Sequence, residues 1–226
     1  MGIASSIGKA LAPNVGRAAP DLTTNFVREA LQRAINGAGP LPGAARAADK
    51  QLKEQRGNVD DAIHEVIENH VRYAGAQGFV TNIGGLVTAV LTIPANITGL
   101  AILQCRMVAG IAHLRGYDLD DPRVRNAILA CMLGEDSVAS LIKKKQIPAP
   151  PMAIATAPAH DEHLDKVMAA EVTAALLTKV AGKRVMTTVG RRVPVVGGLI
   201  GGGADAYATW QIGRYADREL RSRRPR

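Results

Sequence analysis

Apolar residues recur at helical spacing along most of this chain, and one long stretch has no polar face at all. Leu22, Phe26, Ala30, Leu31 and Ile35 predict a helix over 21–36, which Gly37 stops. GAGPLPG (37–43) reads as a loop, and residues 44–56 as a polar, helix-prone segment ending at Gly57. Asn58 is a good N-cap for the next helix, with Asp60 and Asp61 in its first turn and Ile63, Val66, Ile67, His70 and Val71 on its apolar face. Residues 74–105 are then 32 consecutive uncharged positions with Pro94 near their centre. Proline suits a helix's first turn and its predecessor avoids α geometry, so the stretch divides into Phe79–Ile93 and Pro94–Leu114. Gly116 closes the second piece, Asp121-Pro122 opens 123–133, and Gly134 precedes 135–146, whose Lys143, Lys144 and Lys145 complement a helix C-terminus. IPAPPMAIATAPAH (147–160), with four prolines, reads as a linker or surface loop. Long helices over 161–189 and 195–220 follow, and no period-2 run calls for a strand. The pattern predicts an all-α, single multi-helix domain of eight or nine helices built around two glycine-rich apolar segments.

The first of those segments, 74–105, fits three readings: a buried core hairpin, a membrane-embedded hairpin, or one kinked span, since a spanning helix needs about 20 apolar residues. The second is VPVVGGLIGGGA (193–204). Gly197/Gly201 and Gly198/Gly202 are both G-x-x-x-G pairs, a spacing that lets helix backbones approach closely. Glycine costs about 1 kcal/mol against alanine inside a helix, so the cluster implies close packing, and Gly84-Gly85 in the first segment is the expected partner. Neither phosphate-cradling glycine pattern occurs.

Composition narrows the functions. A chain of 226 residues with 47% hydrophobic content can bury a sizeable core. Its seven aromatic residues (four Tyr, two Phe, one Trp) are too few for a base-stacking platform, so nucleic acid is not the expected partner. Cys105 and Cys131 lie in apolar helical surroundings and read as free buried thiols. The first 20 residues, punctuated by Gly and Pro, hold no apolar run of signal-peptide length, and the Gly2/Ser6 match to a myristoylation pattern is too short to carry weight. The net charge is +8, all of it after Lys179: residues 179–226 hold 11 basic and three acidic groups flanking the second apolar segment. Basic groups so placed suit an anionic membrane surface, at about 1 kcal/mol each.

No nucleophile–base arrangement, H-E-x-x-H or C-x-x-C is present. His160 and His163 have a spacing that could offer two metal ligands, but the segment also reads as an ordinary polar helix start, and no metal or cofactor is expected. His113 near a helix end and Asp118, Asp120 and Asp121 near a helix start read as structural groups.

The run GFVTNIGGLVTAVLTIPANITGLAILQCRMVAGIAHLRGYDLDDPRVR resembles the core motif of the EcsC protein family through Gly84, Gly85, Pro94, Gln104, Arg106, Ala112, Gly116, Tyr117 and Asp118. VPVVGGLIGGGADAYATWQIGRYADREL resembles its second signature through Pro194, Gly197, Gly201, Gly213 and Ala216. The resemblance implies a helical domain over 21–222, between a flexible N-terminal segment (1–20) and a basic tail (223–226). It further implies a bacterial, intracellular, membrane-associated protein with no established activity, cytoplasmic and peripheral to or partly embedded in the inner membrane. It hands over no catalytic residues. The expected partners are an anionic membrane surface, met by Arg214, Arg218, Arg221, Arg223 and Arg224, and a transporter or secretion component. The alternative is an enzyme or binding protein for a lipid or other apolar ligand held between the glycine-rich helices, with Asn96, Gln104, Arg106 and Asp205 as its polar groups. Helix contact falls to Gly84, Gly85, Gly197, Gly198, Gly201 and Gly202. The family commonly has Asp where this chain has Asn96, and Asn where it has Asp205. If the two positions touch, Asn96→Asp combined with Asp205→Asn should cost less thermal stability than either change alone; additive losses would argue against contact.

Overall fold

Residues 20–38, 41–75, 95–190 and 194–221 are described by a computed structural model of the protein, with side-chain surroundings for most of them. Helix α1 spans Pro20–Asn36. It ends at Gly37, whose φ is +96° and where a Cβ would lie 2.5 Å from the Leu41 carbonyl oxygen. There the chain makes a two-residue antiparallel ladder, β1 (Gly37–Ala38) with β2 (Leu41–Pro42), Gly37 opposite Pro42. The expected loop over 37–43 thus holds a small strand pair that no hydrophobic alternation announced.

Helix α2 (Ala44–Glu54) leads to α3 (Val59–Gly75), which Asn58 caps: its Oδ1 accepts from the backbone N–H of Asp60 and Asp61, 3.1 and 3.3 Å away. Helix α4 spans Ala95–Leu114. It closes with the N–H of Gly116 donating to His113 O and that of Tyr117 to Ala112 O, the paired bonds of a glycine-terminated helix. Helix α5 (Pro122–Leu133) starts as expected, the Asp121 carboxylate accepting from the Arg123 N–H at 2.8 Å ahead of proline. Gly134, with φ +82°, separates it from α6 (Glu135–Lys143). Segment 147–160 is not a mere surface loop. It contains α7 (Pro151–Ala155), whose Pro151, Ile154 and Ala155 are buried together with Ile147, because a proline at a helix start loses no hydrogen bond. Helices α8 (Glu162–Gly190) and α9 (Pro194–Glu219) complete the chain.

The bundle is organised around α4. Every residue from Gly99 to Ala112 is buried, with α1, α2, α3, α5, α8 and α9 all packed against this helix. Small residues let neighbours close in: a Cβ on Gly110 would touch Ala48 Cβ at 3.6 Å and Val66 Cγ1 at 3.7 Å. From Gly99 on, the uncharged stretch is therefore core; residues 76–94 lie outside those described. Among the described residues no helix is long and apolar enough to cross a membrane.

Gly213 marks a close approach of α9 to α3 and α4. A Cβ there would sit 3.0 Å from both Ile67 Cγ1 and Cγ2 and 3.2 Å from Met107 Sδ. Gly203, on the same helix, has open space around it. Gly213→Ala should lower the unfolding free energy by about 1–2 kcal/mol through overpacking, whereas Gly203→Ala should raise it by up to about 1 kcal/mol. Urea denaturation of both variants checks this; equal shifts of one sign would contradict the packing.

Candidate functional site

Helices α3 and α4 run antiparallel, and α9 returns beside both. Ile67 packs on Gly213, while Asp60 and Asp217 meet the same arginine, so α9 is antiparallel to α3. The bundle therefore has two dissimilar ends along these three helices.

One end is polar and fastened. Arg115 donates to Asp60 Oδ1 at 2.8 Å and to Asp217 Oδ1 at 2.6 Å, joining the start of α3, the end of α4 and the end of α9. Tyr117 is buried and its hydroxyl donates to the Arg221 carbonyl oxygen at 3.0 Å. His113 Nε2 lies 2.8 Å from Asp49 Oδ1, tying α4 to α2. Nearby, Asp118, Asp120, Asp121 and His160 line a shallow depression. Their groups are already engaged: Asp118 accepts from the Asp120 N–H, Asp120 pairs with Arg125, and Asp121 pairs with Arg123, whose side-chain hydrogen bond holds the carboxyl below its usual range. His160 stands 3.3 Å from Asp165, which also accepts from Asn126 at 2.7 Å. No cluster able to hold a metal ion occurs among the described residues.

The other end gathers the polar groups expected in apolar surroundings. Gln104 is buried, and its Nε2 donates to Thr209 Oγ1 at 2.9 Å; that hydroxyl's own proton goes to the Asp205 carbonyl oxygen at 2.8 Å. Gln104 is thus a tie between α4 and α9, and Thr209 is the partner that sequence reasoning missed. Asp205 is half-buried two turns before Gly213, and the side chain of Asn96 lies outside the described residues.

Arg106 differs from Gln104. It is 8% exposed, its Nε is buried without a hydrogen-bond partner, and no ion pair reaches it among the described residues. It faces α3: with Gly110 against Val66 and Leu103 clustered with Ala74, the register sets Arg106 level with His70. His70 is 7% exposed and had no assigned role beyond an apolar helix face. Its Nδ1 lies 2.6 Å from the Val66 carbonyl oxygen, which can only accept, so Nδ1 carries the proton and Nε2 is left bare, buried and unpartnered. Burial pushes the His70 pKa down to about 4; the bond to Val66 opposes this and the Arg106 charge adds to it. Both thiols are inert by the same physics: burial pushes Cys105 up to about 12, and Cys131 higher still.

On the outside of this end, α9 carries an exposed stripe of Gly203, Ala204, Tyr207, Trp210, Gln211, Arg214 and Arg218. Tyr207 and Trp210 are 60% and 43% exposed and stack with ring centroids 6.0 Å apart. Tyr73, at the matching end of α3, is 45% exposed. The arginines expected at a membrane are partly committed elsewhere. Arg214 lies 3.7 Å from Asp217, Arg218 pairs with Glu135, and Arg221 is exposed; Arg223 and Arg224 lie outside the described residues. Gly84 and Gly85 also lie outside them. Gly197, Gly198, Gly201 and Gly202 fall within α9, but their packing is outside what is described.

The fold and its two unlike ends define an all-helical protein wrapped round a central buried helix. It belongs to the EcsC protein family, whose family model matches residues 4–224. No curated protein and no solved structure matches the chain.

His70 gives the fold a pH dependence with a definite sign. The folded ring stays neutral while the unfolded ring takes up a proton near pH 6.5, so stability is full above that value and drains away as pH falls towards 4. The loss should reach about 3 kcal/mol. Urea midpoints at pH 7.5, 6 and 5 should fall more steeply for the native chain than for His70→Phe; parallel slopes would exclude His70 as the source.

Proposed function

We propose that the protein works, without catalysis, at an anionic membrane surface on the cytoplasmic side of the inner membrane, seated by the apolar end of its bundle. The observation that carries this reading is the order of side chains along α9. An uncharged run from Val195 to Ala204 comes first, then exposed Tyr207 and Trp210, then Arg214, Arg218 and Arg221. Apolar groups favour hydrocarbon, amphipathic rings favour the headgroup level, and arginines favour the anionic surface above it, so the helix is graded as an interface is graded. Tyr73, immediately before the uncharged residues 74–94, repeats the aromatic step on α3. Since Arg214 and Arg218 also hold protein carboxylates, the aromatic pair carries more of the attachment than the charge does. Work beside a transporter or secretion component remains the proposed setting.

Flotation with phosphatidylcholine vesicles, alone or with 30% phosphatidylglycerol, tests the seat. The native chain should float with the anionic vesicles at low salt. Changing Tyr207 and Trp210 together to Ala should lower the partition coefficient about tenfold or more without unfolding the protein. A native chain left in the soluble fraction, or a double variant floating as well as the native chain, would overturn the reading.

A further inference from the structure

The buried pair Arg106 and His70 has no part in a membrane seat built from exposed aromatics. Among the described residues no carboxylate pairs with Arg106, and its Nε is buried without a hydrogen-bond partner, on a helix whose other buried polar side chain, Gln104, is already hydrogen-bonded. A guanidinium presents five donors and no acceptor. His70 offers the complement: with its Nδ1 proton committed to Val66, the neutral ring presents Nε2 as an acceptor and nothing else. Both residues are more than nine-tenths buried, both lie on the seam between α3 and α4, and the Arg106 charge helps keep the His70 ring neutral. Tyr73 is the ionisable neighbour of both, its ring edge-on to His70 with centroids 6.5 Å apart and its phenol near the Arg106 charge, and no ion pair joins Glu65 or Glu68 to Arg106 among the described residues. Beyond them along the seam, Ala74, Leu100 and Leu103 are buried against one another, an apolar cluster separate from the main core.

We propose that Arg106 and His70 bind a phosphomonoester, whose anionic oxygens take the guanidinium and whose remaining P–OH donates to His70 Nε2. A carboxylate at neutral pH fits less well, because it has no proton to give to Nε2. Arg–phosphate pairing is commonly bidentate and charge-assisted, which suits one arginine acting alone. Two sources share this chemistry: free phosphate, and the headgroup of a phosphatidic-acid-type lipid whose chains would follow Ala74, Leu100 and Leu103 out of the seam. The proposal shares a location with the membrane seat and does not depend on it.

Thermal unfolding of the full chain with inorganic phosphate, dihexanoyl phosphatidic acid or sodium hexanoate tests the site. Dihexanoyl phosphatidic acid should raise the melting temperature of the native chain by about 5 °C at saturation, and hexanoate should not. A rise of the same size with inorganic phosphate assigns the free anion; a rise with the lipid alone assigns the headgroup. Arg106→Met should abolish the ligand-dependent rise while melting, without ligand, at the native temperature or above, because it removes a buried unpartnered donor. An arginine that merely holds the fold would do the opposite, lowering the ligand-free melting temperature and leaving the rise intact, and that result overturns the proposal. So does a native chain that no phosphate probe stabilises, or one that hexanoate stabilises equally. Tyr207→Ala with Trp210→Ala separates the two readings: it should keep the dihexanoyl phosphatidic acid response while losing flotation, and Arg106→Met should do the reverse.

Discussion

Everything in this fold depends on a helix with no wet side. From Gly99 to Ala112, α4 has neither a polar face nor an exposed residue, so each of its rows must be covered by another helix. Six helices pack against it. That requirement explains the small residues along the contacts, Gly110 beside Ala48 and Gly213 beside Ile67. Backbones must close in where no polar groups are available to hold them. The stabilisation is area-driven and non-directional, which leaves direction and register to be set at the ends.

The polar end sets them. Arg115 holds Asp60 and Asp217 at once, so the first turn of α3, the last of α4 and the last of α9 cannot slide independently. Gly116 turns the chain, and Tyr117 then reaches across to the carbonyl just beyond α9. Gly116 and Tyr117, in the motif that carries the resemblance to the family, are therefore architectural. Their spacing encodes a corner rather than a reaction. At the other end, among the described residues, the Gln104–Thr209 hydrogen bond ties α4 to α9 without any charged group.

Helix boundaries were legible because caps are local chemistry. Asn58, Asp121 with Pro122, Gly116 and Gly134 each act within a few residues of where they stand. Segment 147–160 was misread because its burial depends on distant partners, and proline content mimics a surface loop whether or not Ile147 and Ile154 are covered. The nature of the uncharged stretch was illegible for a deeper reason. A helix buried by other helices and one buried by lipid satisfy the same demand, so neither leaves a periodic signal; only coordinates separate them, and they do so from Gly99 onward. Gln104, Arg106 and Asp205 were found as polar groups in apolar company, but the sequence could not tell a spent group from an unspent one. Gln104 is spent on Thr209. Thr209 and His70 were missed because each looks ordinary until its neighbour is known.

That distinction between spent and unspent groups argues against treating Arg106 as a structural residue. A buried amide that finds a hydroxyl recovers its desolvation cost; a buried guanidinium Nε with no partner among the described residues does not. Methionine or leucine at position 106 would fill the seam and remove a buried unpartnered donor, which costs about 1–3 kcal/mol. The neighbouring His70 compounds the cost, since the Arg106 charge helps keep it unprotonated and its Nε2 has nothing to accept from. Two adjacent liabilities of complementary kind, a cation that needs an acceptor and an acceptor that needs a donor, are relieved together by one molecule carrying both. Apolar substitution would relieve them too, and would do so more simply. Under the proposal one occupant accounts for both, whereas Arg115, whose Nε is likewise unpartnered, is held in place by Asp60 and Asp217.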